Sequence, residues 1–127
     1  VAALSAYRSM WADLVAVSAA PDPEAKRLGD HATGGALKLM QFGVEKLERE
    51  KAVLKGDPRL DPAVLTASGT RVTVKDCVDG RNWLAYTRDG KLRDDVPGSH
   101  FQADATVERK DGAWKVSHFY MHEAGSC

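Results

Sequence analysis

Arg71-Val72-Thr73-Val74-Lys75-Asp76-Cys77-Val78-Asp79-Gly80 is the stretch on which the fold turns. Val72, Val74, Asp76 and Val78 alternate with Arg71, Thr73, Lys75 and Cys77. That period of two marks a strand with one face in a core. Working outward, Val53 to Lys55 reads as a short strand closed by Gly56-Asp57-Pro58-Arg59, and Pro62 to Ser68 as a second. Ser68-Gly69-Thr70 turns into the quoted strand. Asp79-Gly80 is a hairpin dipeptide leading into Asn82 to Thr87, followed by a turn at Arg88-Asp89-Gly90-Lys91. The polar stretch through Ser99, with Pro97-Gly98, reads as a mobile loop. His100 to Arg109 and Ala113 to His122 are two further strands, joined by a tight hairpin at Lys110-Asp111-Gly112.

Upstream the period changes to that of helices. Leu4, Tyr7, Trp11, Leu14, Val15 and Ser18 recur at helical spacing from Ala2 to about Ala19, with Arg8, Ser9, Ala12 and Asp13 on other faces. Pro21 and Pro23 end that helix. Asp22 as N-cap and Pro23 at the first helical position predict a short second helix to about Asp30. After the break at His31-Ala32-Thr33-Gly34-Gly35, Thr33 is placed to cap a third helix running to about Lys51, with Leu37, Met40, Val44 and Leu47 inward. Glu45 with Arg49 and Lys46 with Glu50 form i,i+4 pairs on its wet side. Helices first and strands after predict an α+β domain: three N-terminal helices on a strongly curved, mainly antiparallel sheet of about six strands.

The chain has 127 residues, the size of one domain with a single core, so residues 1–127 are read as one unit. Its 18 basic and 18 acidic residues balance to zero, which argues against an extended nucleic-acid surface. No apolar run approaches the ~20 residues of a membrane helix. The chain opens at Val1-Ala2-Ala3-Leu4, which reads as the trimmed start of something longer, so the lack of a leader does not place it in the cytosol.

The two cysteines, Cys77 and Cys127, are either an intramolecular disulfide or two independent thiols. A bridge would close a loop of about 50 residues, contribute ~4 kcal/mol on the chain-entropy estimate, and indicate an oxidising compartment. An exposed terminal thiol kept without use is a liability, which favours the bridge.

Strand alternation also sorts the polar candidates. It groups Phe101, Ala103, Ala105 and Val107 on one side of the fifth strand, and Trp114, Val116, His118, Tyr120 and His122 on one side of the last. Asp76, His118 and Tyr120 are therefore expected to face the core. There they would act either as satisfied structural groups or as an acid–base set. His118 and His122, about 13 Å apart along a strand, are too far apart to chelate one ion. His31 and His100 have no ligand pattern around them, and no cofactor or metal is expected. Gly34-Gly35 lacks the spacing of a phosphate loop. No nucleophile elbow is present, and the cysteines sit in no nucleophile context.

Four segments carry a family resemblance: Tyr7-Arg8-Ser9-Met10-Trp11, Val72-Thr73-Val74-Lys75-Asp76-Cys77-Val78-Asp79, Ala105-Thr106-Val107-Glu108-Arg109, and Gly112-Ala113-Trp114-Lys115-Val116 followed by a terminal Cys. With the order of elements, they make the chain resemble the nuclear-transport-factor-2-like superfamily over nearly its whole length. More closely it looks like that superfamily's small secreted or lipid-anchored actinobacterial members. The resemblance implies a cone with a cavity between the sheet and the first and third helices. Tyr7, Trp11, Met40, Asp76, Tyr86, His118 and Tyr120 are the candidates to line it, unless Trp11, Met40, Trp83 and Trp114 fill it. Superfamily members include ketosteroid isomerases, scytalone-type dehydratases and polyketide cyclases, and also non-enzymatic binding and dimerisation domains.

Three functions follow as expectations. The first is a secreted or envelope-associated binding or accessory module for a small apolar ligand or a protein partner. The second is an isomerase, dehydratase or cyclase with Asp76 as base and His118 or Tyr120 as acid. The third is a homodimer formed through the sheet face.

Overall fold

The computed structural model describes residues 2–92 and 99–127. Most of the expected loop before Ser99 lies outside the described residues. The order is α1 (Ala2–Ser18), a short 3-10 turn (Lys26–Gly29) and α2 (Gly34–Arg49), then β1 (Ala52–Gly56), β2 (Pro62–Ala67), β3 (Arg71–Asp79), β4 (Trp83–Thr87), β5 (His100–Lys110) and β6 (Ala113–Met121). The expected α+β architecture is present, with two α-helices rather than three among the described residues. In place of the second helix, Asp22 folds back on its own turn, Oδ1 accepting from Glu24 N at 3.0 Å, and only four residues wind as 3-10. So short a segment cannot recover the cost of nucleating an α-helix.

The strands pair antiparallel in the order β2-β3-β5-β6, with β1 and β4 forming a separate pair. The expected β3–β4 hairpin at Asp79-Gly80 is not formed. A two-residue hairpin of that kind needs positive φ at both positions, and neither residue has it. Gly80 N instead bonds Ser99 O at 3.2 Å, keeping β3 on β5, while the chain turns away into β4. Arg81 clamps that corner, donating from Nε and Nη2 to the Asp79 carboxylate at 2.9 and 2.7 Å. Asp111 and Gly112 do take positive φ (51° and 80°), and the β5–β6 hairpin forms there.

The core lies between the helices and the inner face of the sheet. Tyr7, Met10, Trp11 and Leu14 of α1, Met40 and Val44 of α2, Val72, Val74 and Val78 of β3, and Ala103, Ala105 and Val107 of β5 are all buried. Helix α2 is tied to the sheet edge, with Thr33 N on Val116 O and Val116 N on His31 O, each 2.8 Å. Thr33 occupies the N-cap, but its side chain makes no capping bond. Beyond β6 the chain runs back beside β5, Gly125 N reaching His100 O at 2.7 Å. It ends in the Cys77–Cys127 disulfide, with Cα atoms 5.8 Å apart.

Candidate functional site

Asp76 is a carboxylate buried beneath the inner face of the sheet, 1% exposed. It reaches the core because β3 alternates faithfully from Val72 to Val78. Its two oxygens are both engaged: Tyr7 Oη donates to Oδ2 and Asp61 N donates to Oδ1, each at 2.7 Å. Burial pushes the Asp76 carboxyl above the ordinary carboxylate range, and the Tyr7 and Asp61 hydrogen bonds only partly offset it. The Tyr7 phenol is driven far above its usual value, first by burial and then by the Asp76 charge and hydrogen bond.

Aromatic rings close the space around this pair. Trp11 meets Phe119 at 5.4 Å and Trp83 at 5.5 Å, both edge to face, and Phe119 in turn meets Tyr7 at 6.4 Å. The indole N–H groups of Trp11 and Trp83 are buried without a hydrogen-bond partner. Trp83 and Trp114 are partly buried against the same core. The interior is therefore filled with side chains around a carboxylate that solvent does not reach.

An opening lies elsewhere, between α1, α2 and the β1–β4 pair. This cleft of about 300 Å³ is walled by Leu14 and Ser18 of α1, Leu39, Met40, Gly43 and Leu47 of α2, Leu54, Trp83 and Met121. Lys46 and Glu50 supply its polar lining from the last turns of α2. The floor and sides are apolar, the composition of a small-ligand site.

The expected pocket residues divide between these places. Met40 lines the cleft. Tyr7, Trp11 and Asp76 meet in the closed core. Tyr86 sits on β4 beneath the Lys55 ammonium, which lies 5.8 Å from its ring centre. His118 and Tyr120 are exposed on the opposite face of the sheet and do not join Asp76. The cause is a β-bulge: Val116 pairs with Val107 and His118 with Thr106, leaving Ser117 as an extra residue. One added residue reverses the alternation, so Phe119 takes the inward place that strict parity assigns to His118 or Tyr120.

A second buried carboxylate was not anticipated. Asp13 is 4% exposed and accepts from Arg27 Nε at 2.8 Å, with His31 Nδ1 2.6 Å from its other oxygen. This trio ties α1 to the 3-10 turn and to the segment that joins β6. A signal existed, since Ala3, Ala6, Met10, Asp13 and Val17 form a second stripe at helical spacing, and all five are buried. Asp104 and His122, 2.6 Å apart on the outer face, were likewise missed as a pair. Among the described residues no cluster of His, Cys, Asp and Glu is arranged to hold a metal ion. No described helix is long and apolar enough to cross a membrane.

A scan against protein-family models gives no match, and neither does a search of the curated proteins. Comparison with solved structures does find relatives of the fold. The intermembrane-space region of the chloroplast protein ARC6 superposes with a TM-score of 0.56 at 18% identity, over 96% of this chain and 97% of that one. Hexachlorocyclohexane dehydrochlorinase LinA-type3 from Novosphingobium barchaimii gives 0.56 at 15% identity, over 94% and 84%. A designed protein of the nuclear-transport-factor-2 type gives 0.51 at 11% identity, over 94% and 98%. With two helices on a curved antiparallel sheet and these neighbours, the chain has the nuclear-transport-factor-2-like fold.

Proposed function

We propose that this chain is a secreted or lipid-anchored binding or accessory module whose apolar cleft takes a small apolar ligand or an apolar side chain of a protein partner. The observation that carries the reading is the separation of opening from carboxylate. The cleft between α1, α2 and β4 is open and apolar, while Asp76 is enclosed and already holds two donors. An isomerase or dehydratase reading needs Asp76 to meet substrate and a second titrating group; the core instead gives it Tyr7, whose phenol is held protonated. The Cys77–Cys127 disulfide supports a setting outside the cytoplasm, because such bonds persist in oxidising compartments.

Gly43 supplies the test. A Cβ built there meets no heavy atom within 4 Å, so a side chain can start from this position in the cleft wall without displacing its neighbours. Decanol titrated into the wild type should shift the Met40 and Met121 methyl resonances saturably. Gly43→Leu should abolish the shift while leaving the fold intact. Absence of any shift in the wild type, or equal shifts in the variant, would refute the cleft as the binding site.

A further inference from the structure

The outer face of the four-stranded sheet carries a groove that shares no residue with the cleft. Strand register builds it. Thr73, Thr106 and His118 stand opposite one another across β3, β5 and β6, and a second row of Lys75, Asp104 and Tyr120 runs parallel to the first. Between the rows, Val74, Ala105 and Phe119 send their side chains into the core, so only backbone floors the gap. The rows are one side-chain repeat apart, about 7 Å, and the depression measures about 450 Å³, ending at Leu65 and at Gly35.

The second row is braced. Gln102 Nε2 donates to Asp104 Oδ1 at 3.0 Å, and His122 Nε2 lies 2.6 Å from Asp104 Oδ2. The His122 ring meets the Tyr120 ring at right angles, 4.8 Å between centres. Tyr120 is nevertheless 60% exposed. An aromatic ring left in water yet fixed by a relay of three neighbours is preorganised for stacking, which lowers the ordering cost of binding.

The lining chemistry selects the occupant. One wall offers the Thr106 hydroxyl, an imidazole and the Thr73 hydroxyl, which already shares a hydrogen bond with Thr66 Oγ1 and accepts from Thr66 N but keeps one site free. The other offers a carboxylate and an aromatic face, with the Lys75 ammonium in the same row outside the lining. Partial burial alone would raise the Asp104 carboxyl, but the His122 and Gln102 bonds and the His122 and Lys75 charges outweigh it and hold it below the usual range. The ionised carboxylate keeps acceptor sites beyond its two bonds, and it disfavours an anionic ligand. On β3 and β5 the floor's backbone groups are consumed by pairing with both neighbouring strands, so an extended peptide could pair only along the outer edge of β6, beside the gap and not within it. A sugar presents C–H faces to stack and hydroxyls to bond, with no net charge.

We infer that this groove is a binding site for a neutral oligosaccharide, with Tyr120 as the stacking platform and Asp104, Thr73 and Thr106 as hydroxyl partners. The experiment is a backbone NMR titration of the intact, oxidised protein with maltotriose, cellotriose and chitotriose, each to about 20 mM, which detects even millimolar affinity. Saturable shifts at Thr73, Thr106, His118 and Tyr120 with at least one sugar are expected. Tyr120→Ala should weaken that binding about tenfold or more, the size of a lost stacking contact, with an unchanged unfolding midpoint. His122→Gln, which leaves Tyr120 in place but frees its ring, should weaken it by a smaller factor.

No shifts with any of the three sugars, or shifts unaffected by Tyr120→Ala, would overturn the inference. So would a concentration-dependent dimer, seen by light scattering, that Tyr120→Ala dissolves, because a second copy would then own the face.

Discussion

The Tyr7 hydroxyl lies 2.7 Å from Asp76 Oδ2, joining residues 69 positions apart in the chain at the centre of the core. The bond fastens α1 to β3, and Asp61 N completes the carboxylate's coordination from the segment entering β2. Its consequence for stability depends on pH. Asp76 has a raised native value, so the folded state holds its proton more tightly than the unfolded chain does. The contribution is fully present below the unfolded value, about 4, and is lost as pH rises through the native value. Asp76→Asn keeps the shape and removes the titration. Urea unfolding from pH 4 to 7 should show the variant gaining on the wild type as pH rises; parallel profiles would contradict the assignment.

Tyr7→Phe tests the other partner. It removes the donor and leaves a buried carboxylate with one hydrogen bond, so the cost at neutral pH should be about 1–3 kcal/mol. The loss should shrink at low pH, where a protonated Asp76 no longer needs the donor. Equal losses at both ends of the range would show that the phenol acts only through packing.

The disulfide spans a sequence separation of 50 and fixes the chain end to the outer side of β3. The paired Cys77→Ser, Cys127→Ser variant should lose up to about 4 kcal/mol on the chain-entropy estimate. Amide exchange should accelerate first at Gln102 and Gly125, whose N–H groups bond Ser126 Oγ and His100 O along the returning tail. Uniform acceleration across β5 would mean that the tail contributes nothing local.

Gly56 ends β1 at φ +98°, and a Cβ there would lie 1.8 Å from Asn82 O. Gly56→Ala should therefore cost about 3 kcal/mol or more, from both backbone strain and the displaced β4 strand. A thermal midpoint within a degree or two of wild type would show that the β1–β4 pair tolerates rearrangement.

Much of this molecule was legible in its residues. The faithful alternation in β3 identified Asp76 as buried, and Asp111-Gly112 announced the last hairpin. Cys77 and Cys127 pair as the exposed terminal thiol suggested. What misled was local chemistry with two outcomes. Asp79-Gly80 is a hairpin dipeptide in isolation, but the pairing of β3 with β5 continues past it, and that long-range ladder decides. The apolar stripe of the first helix leaves Asp13 on another face, and its burial rests on Arg27 and His31, distant in sequence, which supply what a buried carboxylate needs. His118 and Tyr120 were assigned inward because nothing in Val116-Ser117-His118 signals a bulge. An extra residue is visible only against the partner strand.

Ser117 works as a phase shifter. Up to Val116 the strand keeps even-numbered residues inside, and from Phe119 onward it keeps odd-numbered ones there. The two halves of β6 thus face opposite ways at the same parity. Deleting this one serine would remove the bulge and leave both faces as they are, because Val116, His118 and Phe119 would still oppose Val107, Thr106 and Ala105. Counted through Ser117, His118 and Tyr120 share the parity of buried Val116; counted by their partners Thr106 and Asp104, they belong to the polar outer surface, and Phe119 to the aromatic core.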